Sequence, residues 1–239
     1  MRRWLLLLPL LGLTACNAAA PFVTTVGMLK PGATLVIRAG EATISAYQPA
    51  VGQRRDLFTI AATAPAKGPP PPPPHLRPEP RYGVVVTAPG RLATLLVRVP
   101  DGVDLVVQSL QGDVNVTDIT GNARLFTRRG NVTAMLPGYA EASTGDGDVS
   151  VTMGAVRWPG TLHFSTPRGD IELRINPKAA LRVRLHTGDG TLFTDFGLRG
   201  VSNGASETID ADINGGSAQR IDVETESGAI RLLRLQPQA

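Results

Sequence analysis

The sequence predicts an all-β fold, a single β-solenoid or parallel β-helix-like domain built from coils of roughly 20 residues. Three observations predict it. The 239 residues include 26 glycines and 20 prolines, too many for a mostly helical chain. Apolar residues recur at fixed distances on both sides of a series of glycines, with polar residues between them. A single cysteine, Cys16, leaves no disulfide to hold the fold, so packing and backbone hydrogen bonds must do so. An antiparallel β-sandwich is the alternative fold that the same alternation allows.

The chain opens with Met1-Arg2-Arg3, then an apolar run from Trp4 to Leu13 that contains Pro9. The run is shorter than the roughly 20 apolar residues a bilayer span needs. A charged start, a short apolar core and small residues before a boundary make an export signal. The boundary, Leu13-Thr14-Ala15-Cys16, resembles a bacterial lipobox, which implies cleavage before Cys16 and lipidation of that residue. A diacylglycerol plus an amide-linked chain anchors stably where one chain alone is marginal. Asn17 in the next position implies sorting to the outer membrane. Residues 1–15 are thus read as a lipoprotein signal peptide, 16–30 as a tether, and 31–235 as the solenoid domain, with a Pro-rich loop insertion over 64–81.

Losing Arg2 and Arg3 with the signal leaves 22 basic against 20 acidic residues, scattered with both signs mixed. A nucleic-acid groove needs concentrated Lys and Arg, so no nucleic-acid partner is expected.

From Pro31 the pattern alternates. Leu35, Ile37, Ala42 and Ile44 flank Gly40, which suggests two strands around a glycine turn. DLFTIAA over 56–62 is another strand. Pro69 to Pro74 impose polyproline II of roughly 19 Å, an exposed semi-rigid spacer with no place in a helix interior or sheet. Strand character resumes over Tyr82–Thr87 and Leu92–Val99.

From Asp101 the sequence repeats. Take Gly112, Gly130, Gly147, Gly169, Gly190 and Gly228, spaced 18, 17, 22, 21 and 38 residues apart. Two residues after them stand Val114, Val132, Val149, Ile171, Leu192 and Ile230. Five before stand Val107, Leu125, Ala142, Phe164, Leu185 and Val223. Each unit therefore reads as strand, glycine corner, strand, with a second corner at Pro137-Gly138, Pro159-Gly160 or Asn176-Pro177. One coil cannot bury its apolar face alone; stacking coils ~4.8 Å apart does so. Asp113, Asn131, Asp148 and Asp170 follow their glycines and can close the corner through their own side chains. Ser109, Thr127, Thr144, Thr166, Thr187 and Thr225 make a hydroxyl row, read as corner capping or an exposed ladder along one edge.

The units GDVNV, GNVTA, GDVSV, GDIEL and GAIRL, each preceded by a strand and a Thr or Ser, resemble the bacterial putative-adhesin family of unknown function. The resemblance covers roughly residues 31–235, most firmly from Val103. It implies a β-solenoid-like domain with a cell-envelope role and supplies no catalytic residues. The sequence departs from it in the proline insertion, in the weak GTLFT unit at Gly190, and over 197–217.

Sharper chemistry finds little support. TGDGDV places its aspartate one position early for a calcium β-roll, and no nine-residue array persists, so corner chemistry is expected and no metal site. The outward acids Glu141, Glu172, Asp222 and Glu224 lie in different coils with no arginine file beside them. His75, His163 and His186 show no zinc spacing. No GxSxG, P-loop or dinucleotide motif appears. The expectation is a lipid-anchored protein of the cell envelope, at the outer membrane or cell surface. It touches the membrane through its anchor and binds an envelope protein or glycan without catalysis or cofactor. The alternatives are a carbohydrate-active β-helix enzyme and an accessory of an envelope-stress system.

Overall fold

The computed structural model describes residues 22–48, 56–65, 69–80, 83–216 and 218–236. Within them there is no helix, and 19 strands join through hydrogen bonds. The first five are β1 (Phe22–Met28), β2 (Thr34–Tyr47), β3 (Leu57–Thr63), β4 (His75–Glu79) and β5 (Gly83–Arg98). Then come β6 (Asp104–Gln111), β7 (Val114–Thr117), β8 (Ala123–Thr127), β9 (Val132–Leu136), β10 (Ala140–Thr144) and β11 (Val149–Met153). The rest are β12 (Thr161–Arg168), β13 (Ile171–Ile175), β14 (Leu181–Asp189), β15 (Leu192–Thr194), β16 (Val201–Asn203), β17 (Ser206–Ile213), β18 (Arg220–Ser227) and β19 (Ile230–Arg234).

The strands form two faces that meet at the glycine corners. Face A runs β5, β2, β6, β8, β10, β12, β18, β14, all parallel, using the first halves of β5 and β2. Face B carries the second halves of β5 and β2, then β7, β9, β11, β13, β19, β15, again parallel. Eight coils result. The predicted files are its core: Leu105, Leu162, Ile221 and Val183 in one, Val107, Leu125, Phe164 and Leu185 in the next, Val114, Val149, Ile171 and Ile230 across the corner, all at most 1% exposed. Period-two alternation puts every second side chain inward, and parallel register places like on like.

The corners are tight. Gly169 has φ +142°, and a Cβ there would overlap the Gly147 carbonyl of the coil below. The hydroxyl row faces inward, not outward: Thr127, Thr144, Thr166, Thr187 and Thr225 are buried. Thr127 Oγ1 donates to the Gly112 carbonyl at 3.0 Å, Thr144 to Gly130 at 2.8 Å, Thr166 to Gly147 at 2.9 Å and Thr225 to Gly169 at 3.1 Å. The exposed-ladder expectation is thus corrected, because the corner carbonyl is the acceptor a buried hydroxyl needs. The Asx residues also work between coils rather than within one. Asp113 Oδ1 accepts the Asn131 N–H, Asn131 Oδ1 that of Asp148, and Asp148 Oδ1 that of Asp170, at 2.8, 2.9 and 2.8 Å.

The ends depart from a sequential solenoid. The terminal strands β18 and β19 do not form an edge; they lie between β12/β13 and β14/β15. Gln219 latches them there: its Oε1 accepts the Trp158 N–H, and its Nε2 donates to the Ala180 carbonyl at 3.0 Å. Residues 197–216 lack the apolar files, so they form no coil; β16 and β17 pair antiparallel with each other, and β17 pairs antiparallel with β14. At the other end β3 and β4 pair antiparallel with the two halves of β5. The proline run connects them across the Gly90 corner, with Pro71 and Pro74 buried and Pro78 inside the edge strand β4, so the expectation of a wholly exposed insertion is corrected. Proline is tolerated there because one side of an edge strand needs no ladder donor. Phe22–Met28, within the segment read as tether, is β1, paired with β3. The signal peptide and Cys16 lie outside the described residues.

Candidate binding surfaces

Because the interior is filled, functional chemistry must sit on the outer faces. On face A, register sets Arg124, Glu141, His163, Asp222, Arg184 and Asp210 in one outward file across β8, β10, β12, β18, β14 and β17. Two of the acids expected to have no arginine file beside them, Glu141 and Asp222, share this file with Arg124 and Arg184, since stacked coils bring equivalent positions together. Arg124 Nε meets Glu141 Oε2 at 2.8 Å, and His163 Nδ1 lies 3.8 Å from Asp222 Oδ2. Glu172 pairs with Arg174 on face B. Such wet pairs contribute little stability each.

The neighbouring file on face A holds Ser165, Glu224, His186 and Thr208. His186 Nδ1 stands 3.0 Å from Thr208 Oγ1. Together His163, Ser165, Arg184, His186, Asp222 and Glu224 line a shallow recess of about 280 Å³. Its imidazoles and carboxylates can hydrogen-bond a polar ligand. Nearby, burial first, then Asp104 and Glu141, raises the Tyr139 hydroxyl above its usual pKa, while Arg124 opposes the shift.

Face B has the larger concavity, a groove of about 1210 Å³ at the corner edge opposite the glycines. Met135, Leu136, Pro137, Leu233 and Leu235 give it apolar walls, and Arg174, Lys178 and Arg234 with Asp118 and Asp195 a charged rim of both signs. Met135 is 44% exposed although it stands between Thr117 and Thr152 in an outward file that continues through Arg174 to Leu233. The chain beyond β19 is pinned along the groove by Leu235 N–H donating to the Ile175 carbonyl at 2.7 Å. Arg234 is held from two sides, its N–H donating to Asp195 Oδ2 at 2.9 Å and its guanidinium lying 5.1 Å from the Phe196 ring centre. The sequence reading missed this groove, because its walls come from second corners and from the chain end; an apolar residue at outward positions 135 and 233 was the available signal.

His75 stands on β4, away from both recesses. Among the described residues no group of three His, Cys, Asp or Glu could hold a metal ion, and no helix is long and apolar enough to cross a membrane.

A two-faced parallel stack with a hydroxyl-capped glycine corner defines a β-solenoid domain whose variable chemistry is outward. The chain belongs to the Toastrack DUF4097 family, whose profile matches residues 93–233, from the second half of β5 to the last strand. That agrees with the resemblance drawn from the GDVNV-type units. Among curated proteins none matches the chain. It is similar in structure to a putative cell adhesion protein from Clostridium sporogenes, at 12% identity and a TM-score of 0.48, over 90% of this chain and 100% of that one. A putative adhesin from Parabacteroides merdae is similar at 9% identity and a TM-score of 0.33, over 90% and 97% of the two chains.

Proposed function

We propose that the chain is a lipid-anchored protein of the cell envelope, held at the outer membrane or cell surface through acylated Cys16. Its solenoid is a non-catalytic, adhesin-like module that binds a protein partner through the face B groove. The groove carries this reading, since its aliphatic walls and charged rim have the composition of an interface core with a polar border. Aliphatic walls suit apolar side chains of a polypeptide better than the hydroxyl-covered surface of a glycan. The pairing of outward acids with arginines on neighbouring coils supports a structural use of those charges over an acid–base one.

A photo-crosslinking residue at Met135 in intact cells tests the module. A discrete adduct is expected, weakened by Leu233→Asp and missing when the crosslinker replaces Gln108 on face A. Equal adducts from both faces would sink it. Labelling with a palmitate analogue that is lost in Cys16→Ser is expected for the anchor. New reducing ends from envelope polysaccharides, abolished by Asp222→Asn and Glu224→Gln, would replace the binding reading with the enzymatic one.

A further inference from the structure

The edge carrying the glycine corners is not uniform in charge. Arg128 and Arg129 precede Gly130, whereas the equivalent pairs are Leu110-Gln111, Gly145-Asp146, Pro167-Arg168, Gly188-Asp189 and Glu226-Ser227. Neither Arg128 nor Arg129 has an ion-pair partner among the described residues, while Arg168 meets Asp146 at 3.4 Å. Beside these arginines β2 and β5 turn at Gly40 and Gly90, which line a recess of about 500 Å³. Arg91, 3.0 Å from Glu41, forms another wall, and Leu110, 59% exposed, lines it with Gln111.

The chain enters the fold on this same edge. Phe22 faces Thr63 and Thr63 faces Thr94, three residues past Arg91. Phe22 therefore lies two strand spacings, about 10 Å, from Thr94. Only residues 17–21 separate Phe22 from Cys16, and fully extended they reach at most about 20 Å.

We infer that this recess docks the domain on an anionic phospholipid surface, with Arg91, Arg128 and Arg129 meeting headgroup phosphates and Leu110 entering the headgroup layer. The inference rests on lipidation of Cys16, which brings a bilayer within that reach. Charge complementarity selects the occupant: three arginines against Glu41 line the recess. Asp113, at the adjoining Gly112 corner, turns one oxygen to the Asn131 N–H. The four corners farther along hold Asp146, Asp148, Asp170, Asp189 and Glu226 against Arg168, and are repelled. Each arginine near an anionic surface strengthens partition about fivefold. In this pose the face B groove, on the opposite corner edge, points away from the membrane and is free for a partner.

The test uses the mature chain in phosphatidylcholine vesicles with and without phosphatidylglycerol, containing brominated lipids that quench tryptophan on contact. Leu110→Trp reports the recess and Val201→Trp the far cap; Trp158, buried, is a shared background. Strong quenching of the Leu110→Trp chain is expected, dependent on phosphatidylglycerol and lost on adding Arg128→Glu and Arg129→Glu at an unchanged melting temperature. Quenching equal at the two positions, or indifferent to phosphatidylglycerol, overturns the docking face. So does release by inorganic phosphate alone, which would mark a free-anion site. Mass analysis of the N-terminal peptide reads the anchor separately. If Cys16 carries no lipid, binding of the chain from solution must still fall about tenfold or more with the two arginine reversals for the face to stand.

Discussion

The eight parallel coils and the antiparallel segments that close them use the same strands under different constraints. Inside the stack each position has an equivalent in the next coil, so a corner glycine and an Asx side chain meet their counterparts one step away, and a buried hydroxyl meets the neighbouring corner's carbonyl. In the caps β1, β3, β4, β16 and β17 have a neighbour unlike themselves, and their turns open to solvent. A corner glycine such as Gly169 is therefore constrained from outside its own coil, whereas Gly204 at a hairpin tip of the cap answers only to its own backbone.

That contrast gives the largest expected effect. Gly169→Ala must push a Cβ into the Gly147 carbonyl and also holds φ at +142°; a loss of about 4 kcal/mol or more in urea unfolding is expected. Gly204, at the tip of the β16–β17 hairpin, also has positive φ, +66°, but a Cβ there meets nothing within 4 Å. Gly204→Ala is expected to cost about 1 kcal/mol, the backbone penalty alone. Similar costs at the two sites would mean that coil-to-coil contact does not set the corner.

The same comparison explains what was legible in the sequence. The files through Val107, Leu125, Ala142 and Phe164 could be read because stacking demands the same inward choice in each coil. What could not be read is order in space. The unit at Gly228 looks like the last coil, yet β18 and β19 sit inside the stack, held by Gln219 and Trp158, whose contacts span more than 60 residues to one side. Nothing in a local pattern marks a long-range latch of that kind. The hydroxyl row was found but its side was left open between corner capping and an exposed ladder, because a threonine is equally at home capping a buried corner or facing water; the structure shows the capping. Cys16 stands as a sequence reading alone, being outside the described residues.

A smaller effect sharpens the comparison inside the stack. Thr166 donates to both the Gly147 carbonyl and its own Arg168 carbonyl, whereas Ser109, next to the irregular β2 corner, reaches only the Gln111 carbonyl at 3.3 Å. Thr166→Val keeps the shape and strands the Gly147 carbonyl, while the Arg168 carbonyl keeps the Gly147 N–H at 3.0 Å; a loss of about 1–3 kcal/mol is expected. Ser109→Ala is expected to cost about 1 kcal/mol or less. Thermal unfolding of the two variants side by side checks the order, and a reversed order would show that the hydroxyl row acts through its packing rather than its hydrogen bonds.

The smallest effect concerns how the C-terminal cap is held. Arg182 on β14 donates to Asp210 on β17 at 2.8 Å. That hydrogen bond holds the Asp210 carboxyl below its ordinary value of 3.8; desolvation opposes it, and the attraction of Arg182, Arg184 and Arg220 adds to it. A carboxylate whose folded pKa is depressed contributes stability above the unfolded value and loses it as pH falls through the folded one. The contribution of this pair is thus complete above about pH 4 and fades below it. Both side chains are solvent-exposed, so water and salt screen the pair and global unfolding should barely register it. Local opening should: amide exchange in β17 is expected to rise relative to β12 as the solution is acidified below pH 4, and Asp210→Asn should raise it at neutral pH and remove the acid dependence. Unchanged β17 protection in that variant would place the hold of the cap in the backbone ladder between β14 and β17, where Ile209 and Ile213 bury against the core and need no charge.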